Sequence, residues 1–199
     1  MSVRSSACAL AALAFVVAAD AQAANAPPLE PGPWSASIYG GIYLPDWEAV
    51  DNAATYGIRI ARPFADHFVA SGAVSTVSLD GHSERNGIVK DANFDLTLAD
   101  AEIGYVVDPS STVSLTTAIG IGWAFTDGAL KVSDGDGGFR HSSGDDSFTA
   151  SISVGPIVRI TDRIALRIVS RWRWFEARKD DEIDQEVLAG LVFGLGGAR

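Results

Sequence analysis

The chain has 199 residues, 47% hydrophobic and 20% charged, with 20 glycines and a formal net charge of −10. That apolar content excludes a disordered chain, and the acidic balance argues against a nucleic-acid surface. The length suits one domain, and no segment after the N-terminus reaches the roughly 18 consecutive apolar residues of a transmembrane helix.

The first residues set the compartment. Arg4 is a short positive region, Ala9 to Ala19 an apolar run, and Ala21-Gln22-Ala23 a small-residue cleavage site. Residues 1–23 therefore read as a secretory signal peptide cut near Ala23. The apolar run, at ~1.5 Å rise per residue, is too short to cross ~30 Å of hydrocarbon. Cys8 is the only cysteine and precedes that run, so lipidation is not expected and the exported chain has no thiol. Residues 24–32, rich in proline, read as an extended lead-in to one domain over 33–199.

From there the pattern alternates with period two, which predicts an all-β chain. Trp34, Ala36, Ile38, Gly40, Ile42 and Leu44 alternate with Ser35, Ser37, Tyr39, Gly41 and Tyr43. Tyr56, Ile58 and Ile60 alternate with Gly57, Arg59 and Ala61. His67 to Leu79 has small residues on both faces and no clear phase. Asn93 to Val107 changes phase near Leu98-Ala99; a β-bulge or an upper section standing clear of a membrane would each explain it. Val113 to Phe125 sets Val, Leu, Ile, Trp and Phe against Ser, Thr, Ala and Gly, and Phe148 to Ile160 repeats the scheme.

Arg163 to Phe175 is the sharpest run. Ile164, Leu166, Ile168, Ser170, Trp172 and Trp174 share one face, while Arg163, Arg167, Arg171 and Arg173 share the other. Ile183 to Leu195 closes the series, with Asp184 and Glu186 on its polar phase. Short turns are predicted at 63–66, 108–111 and 161–162, and longer polar loops at about 46–52, 80–91, 126–146 and 177–182. This alternation of short and long connections is expected of eight antiparallel strands in an up-and-down barrel.

Such faces mean core and water in a soluble barrel, or lipid and lumen in a membrane one. A lipocalin-like periplasmic binding barrel stays open as an alternative, since Gly32-Pro33-Trp34 has the form of a lipocalin first strand. Small residues on the polar phase of Val113 to Phe125 favour lipid, because a crowded eight-strand interior requires them. The aromatics also gather near strand ends. Tyr43, Tyr56, Trp123, Phe125, Trp172 and Trp174 fall at loop-side ends, and Trp34 and Phe193 at turn-side ends, as two membrane-interface girdles would require.

Strand–turn–strand units such as GPIVRITDRIALRI and YVVDPSSTVSLTTAIGIGW, with the closing strand EVLAGLVFGLG, resemble the small outer-membrane β-barrel domain family, the OmpA/OmpX-like barrels. The likeness covers about residues 33–196. It implies an eight-stranded antiparallel transmembrane barrel in the cell outer membrane. The implied partners are membrane lipid, lipopolysaccharide and, through the last strand, the barrel-assembly machinery. Family members often end on an aromatic residue, whereas Phe193 is followed here by Leu-Gly-Gly-Ala-Arg; recognition would then rest on Phe193 and Leu195.

The lumen is expected to hold Arg59, Arg159, Arg167, Arg171 and Arg173 against Asp100, Glu102, Asp184 and Glu186, with Arg173 opposite Glu186 in a regular last hairpin. Unpaired charge is costly in a narrow interior, so these groups should pair as a register-fixing plug, with an ion path or an anion site as the functional alternative. Asp134, Asp136, Asp145 and Asp146, set among glycines, are candidate Ca²⁺ ligands, although the full EF-hand spacing is absent. His141-Ser142-Ser143 invites a lipid A-modifying enzyme reading, but no acidic orienter follows before Glu176 and a Gly-rich loop preorganises a nucleophile poorly. His67 and His82 fall in connections without metal spacing. The expectation is a monomeric, non-enzymatic barrel without cofactor, in a structural or surface-interaction role.

Overall fold

The computed structural model describes residues 34–46, 50–85, 88–109, 111–133, 139–143, 146–176 and 183–195. The predicted signal peptide and lead-in lie outside these residues. The strands are β1 (Ser35–Leu44), β2 (Ala53–Pro63), β3 (Phe68–Arg85), β4 (Ile88–Val107), β5 (Val113–Ser133), β6 (Phe139–Ser143), β7 (Ser147–Arg159), β8 (Ile164–Phe175) and β9 (Ile183–Gly194). All pair antiparallel with their neighbours, and β1 pairs with both β2 and β9, which closes the sheet. β5 pairs with β7 over 113–124 and with β6 over 129–133, so β6 and β7 share one position around the barrel. The result is an eight-stranded up-and-down barrel.

The strands differ in length for a readable reason. β1, β2, β8 and β9 have 10 to 12 residues, close to the ~9–11 that cross a bilayer at a tilt. β3, β4 and β5 have 18, 20 and 21 residues, and at ~3.3 Å per residue they continue well past that length. The segments expected as long loops at 80–91 and 126–146 are therefore mostly strand. β3 and β4 stay in register up to Arg85↔Ile88, and β4 and β5 up to Val89↔Ser133. Polar composition had suggested loops; an exposed strand with water on its outer side has the same composition.

The phase change near Leu98-Ala99 is not a bulge. Pairing of β4 with β3 and with β5 runs through it without an extra residue. What changes is the chemistry of inside and outside. Toward the turns, β4 points Asp100 and Glu102 inward and Ile103 and Tyr105 outward. Toward the loops it points Phe94, Leu96 and Leu98 inward, while Asp95 and Thr97 face out. β3 follows suit: Val77 and Leu79 are buried, and Ser78 and Asp80 are exposed. Together with Tyr43, Val50, Ala124 and Phe175 these side chains form an apolar cap inside the loop-side end.

Below the cap the outer wall is an apolar belt. Ile119 is 66% exposed, Ile103 and Ile152 stand beside it on the two neighbouring strands, and Ile38, Ile58 and Val74 face outward on β1, β2 and β3. A belt of this extent around a soluble monomer would be an aggregation surface. Spin labels at Ile119 and Ile152 are expected to collide with a lipid-soluble quencher, and a label at Thr97 with a water-soluble one. Protection of Ile119 and Ile152 from the lipid quencher would refute the belt. Lipid exposure at Thr97 would refute the upper section.

Candidate functional site

The inward faces of β4, β8 and β9 meet at mid-lumen. Asp100 and Glu102 come from β4, Arg171 and Arg173 from β8, and Asp184 and Glu186 from β9; all are almost fully buried. Arg173 grips Asp100 with both terminal nitrogens, at 2.6 and 2.9 Å, in the two-pronged geometry that best suits a carboxylate. Its Nε donates to Glu186 at 3.0 Å, and Nη1 also reaches the Thr149 hydroxyl at 3.1 Å. Arg171 donates to Glu102 at 2.6 Å and to Glu186 at 3.4 Å, and lies 3.5 Å from Asp100. Arg59 of β2 approaches Glu102 at 3.6 Å, and the Ser71 hydroxyl donates to the same carboxylate. Asp184 accepts from the Tyr43 hydroxyl and from the Asp46 amide. The pairs to Asp100 and Glu102 from Arg59, Arg171 and Arg173 cross the lumen, whereas those to Glu186 join the adjacent strands β8 and β9.

Room for this network is made by β5 and β7. Their inward residues are Ser, Thr, Ala and Gly, from Ser114 to Ala124 and from Ser147 to Gly155. A Cβ on Gly122 would stand 2.4 Å from an Asp100 carboxylate oxygen, and one on Gly120 would stand 3.0 Å from Glu102 Cγ. The small face is the complement of the long arginines.

Several expected positions shift. The Cα partner of Arg173 is Asp184, and that of Arg171 is Glu186, so the last hairpin is offset by two residues from the expected register. An even offset leaves every side chain on its face, and Arg173 still reaches Glu186 diagonally. Arg159 points inward near the turns, away from the mid-lumen group, and donates to the Pro109 carbonyl at 3.3 Å. Arg167 also points inward but joins none of the ion pairs among the described residues.

Tyr43 is not at a membrane interface. It is fully buried, because it shares the inward phase of Ser37 and Tyr39, and its hydroxyl meets Asp184. Its alternation with Ile42 and Leu44 was the available signal. Trp34, Tyr56, Trp123, Phe125 and Trp174 stand exposed on the outer face, with Trp172 and Phe193 half-buried there.

Asp134, Asp136 and Asp145 lie outside the described residues; Asp146 is exposed and accepts from the Thr126 amide. Among the described residues no three His, Cys, Asp or Glu side chains gather as a metal site. His141, Ser142 and Ser143 are not in a loop but in β6, paired to Lys131, Leu130 and Ala129. His82 likewise lies in β3, opposite Asp91.

Charged lumen, apolar belt and closed antiparallel ladder coincide with a family match: the model of the outer membrane protein beta-barrel domain covers residues 7–193. The chain belongs to that family. No curated protein matches it. Among solved structures, this outer-membrane barrel is similar to Neisserial surface protein A, with a TM-score of 0.57 and 12% identity over 82% of this chain and 98% of that one. It is also similar to OprG from Pseudomonas aeruginosa, with a TM-score of 0.57 and 10% identity over 84% of this chain and 98% of that one. Ail of Yersinia pestis follows at 0.50 and 15%, over 80% and 97%. Identities this low speak for the fold alone. A lipocalin-like barrel is set aside by geometry, because its apolar surface would line a cavity, and here the apolar surface is outside.

Breaking the mid-lumen group one member at a time leaves a buried charge alone. Arg173→Met and Glu186→Gln are each expected to cost ~3–5 kcal/mol, with the double variant well below the sum. Urea unfolding of the barrel in lipid vesicles measures this, and additive singles would show the two side chains to be uncoupled. Gly122→Ala, which drives a methyl into Asp100, is expected to cost ~1–3 kcal/mol in the same assay, whereas Ser153→Ala should cost far less.

Proposed function

We propose that this outer-membrane barrel is non-enzymatic and not a diffusion pore, and that it works as a surface-interaction protein. The observation that carries the reading is a lumen closed twice, by ion pairs at mid-height and by the apolar cap, beneath a sheet that continues past the barrel. Eight strands leave an interior just wide enough for side chains, and here those side chains hold one another. Segments 78–85, 88–95, 127–133 and 139–143 rise as a four-stranded antiparallel sheet. Barrel closure ends below it: β2 stops pairing with β3 at Thr55↔Val77, and beyond that, among the described residues, the Asp51 amide donates to the Asp80 carbonyl and Val50 packs into the cap. An extended sheet whose outer edges join no further strand among the described residues suits a macromolecular partner.

The long-strand end then faces outward and the short turns face the periplasm. The belt takes membrane lipid, with lipopolysaccharide in the outer leaflet, and the barrel stands as a monomer because its ladder closes on itself. Half-buried Phe193 and exposed Leu195, on the outer face at the end of β9, present the signal for the assembly machinery.

A protease-site tag at Gly81 is expected to be cut on intact cells, and tags at Pro109 and Asp162 are not. Planar-bilayer recordings should show no porin-like conductance steps. Replacing residues 81–92 by a tight Asn-Gly turn should leave folding intact and reduce attachment of expressing cells to protein- or polysaccharide-coated surfaces. Stepwise conductance would overturn the closed lumen. Unchanged attachment would overturn the interaction role and leave a structural one.

A further inference from the structure

The outer wall is not an even apolar cylinder. Across β2 to β5 it is indented by a groove of about 650 Å³. Strand register sets its parts in two rows. Ile60, Gly72, Ala101 and Ile121 are successive cross-strand partners, and so are Ile58, Val74, Ala99 and Trp123. The isoleucines of β2 make one wall. Ile121 and Trp123 of β5 make the other, and the Trp123 ring meets Phe148 of β7 edge-on at 6.4 Å. The floor is β3 and β4, where Gly72, Ala99 and Ala101 leave the backbone nearly bare and Val74 is the largest side chain. It is two strands wide, ~10 Å at ~4.8 Å per strand, which admits two hydrocarbon chains side by side.

The groove is blocked at one end and open at the other. One row nearer the turns, exposed Ile103 and Ile119 rise from β4 and β5. One row nearer the long-strand end, the floor becomes Thr76 and Thr97, flanked by exposed Tyr56 on β2 and Phe125 on β5. Aromatic posts beside hydroxyls mark a membrane–water interface. From Thr97 to Ile103 the strand runs ~20 Å at ~3.3 Å per residue, or ~14 Å of depth at a tilt near 45°. That is about half of a ~30 Å hydrocarbon core, the depth of one leaflet. Just above Thr97, Asp95 and Asp127 are direct cross-strand partners, and both are exposed. Like charges set opposite each other are unfavourable, and a cation between them would relieve the pair.

We propose that this groove holds one diacyl phospholipid of the leaflet on the long-strand side, and that the lipid is phosphatidylethanolamine. Its two chains lie over Gly72, Val74, Ala99 and Ala101 and end against Ile103 and Ile119. Its primary ammonium sits between Asp95 and Asp127. Width, depth and charge each select this occupant. A phosphatidylglycerol head would bring only negative charge to the two carboxylates. Lipid A has more than two chains and carries phosphates in place of the ammonium.

The full mature barrel, taken from vesicles of equal parts phosphatidylethanolamine, phosphatidylglycerol and lipid A into mild detergent, is weighed by native mass spectrometry. Wild type should retain one phosphatidylethanolamine, at least about tenfold in preference to either other lipid. Gly72→Leu with Ala101→Phe fills the floor and should abolish retention. Both side chains point into lipid, and a Cβ at Gly72 meets only the Asp100 carbonyl oxygen at 3.8 Å, an ordinary contact. Val154→Phe adds similar bulk elsewhere on the belt and should change nothing; heat-modifiable gel migration checks that each variant folds. Asp95→Asn with Asp127→Asn should keep one lipid bound but remove the preference over phosphatidylglycerol. No retained lipid, preference for lipid A, or equal retention of the two phospholipids by wild type would overturn the proposal. So would undiminished retention by the filled variant, or a barrel dimer that filling the groove dissociates. The competition among lipids needs no variant and decides the occupant by itself.

Discussion

Two arginines side by side on one inward face, inside a barrel too narrow for bulk water, set the terms for the rest of the structure. Arg171 and Arg173 are fully buried, and such cations must find carboxylates or the barrel cannot close around them. The carboxylates come from the far wall, on β4, and from the adjacent strand β9. Each ion pair is therefore also a statement about which strands face each other and in what register. The small faces of β5 and β7 follow, because space given to long arginines must be withheld from other side chains.

The same narrowness explains the change of character along the barrel axis. Where the outer wall meets hydrocarbon, the inside can be polar, since neutralised charges fill it without needing an apolar core. Where β3, β4 and β5 continue past the belt, water reaches the outside and the hydrophobic effect turns inward. Phe94, Leu96, Leu98, Val77 and Leu79 then pack as an ordinary core. Tyr43 sits at the junction, its ring in the apolar cap and its hydroxyl on Asp184. An amphipathic side chain is well suited to that boundary.

Closure at two levels turns attention from the lumen to its ends. The loop-side end carries the extended sheet for which we propose a macromolecular partner. The turn-side end holds a small, mostly apolar cavity lined by Val69, Val106, Ile157 and Val192. Both are consequences of the same economy: polar groups at mid-height are consumed by one another, so chemistry remains available only above and below them.

Much of this was legible in the residues themselves. Period-two alternation decided the all-β class and the facing of Arg59, Arg167, Arg171, Arg173, Asp184 and Glu186, because facing depends only on the parity of position along a strand. The chemistry of the two faces, with small residues against arginines, pointed to lipid outside. Register was not legible: an even slip of the last hairpin leaves every side chain on its face, and only the folded ladder distinguishes Asp184 from Glu186 opposite Arg173. Polar stretches at 80–91 and 126–146 read as loops because composition does not separate a solvated loop from a solvated strand; pairing with neighbours does. The choice of Asp100 for Arg173 and of Asp184 for Tyr43 came from the tertiary structure, since residues separated by 73 and 141 positions meet only when the sheet closes.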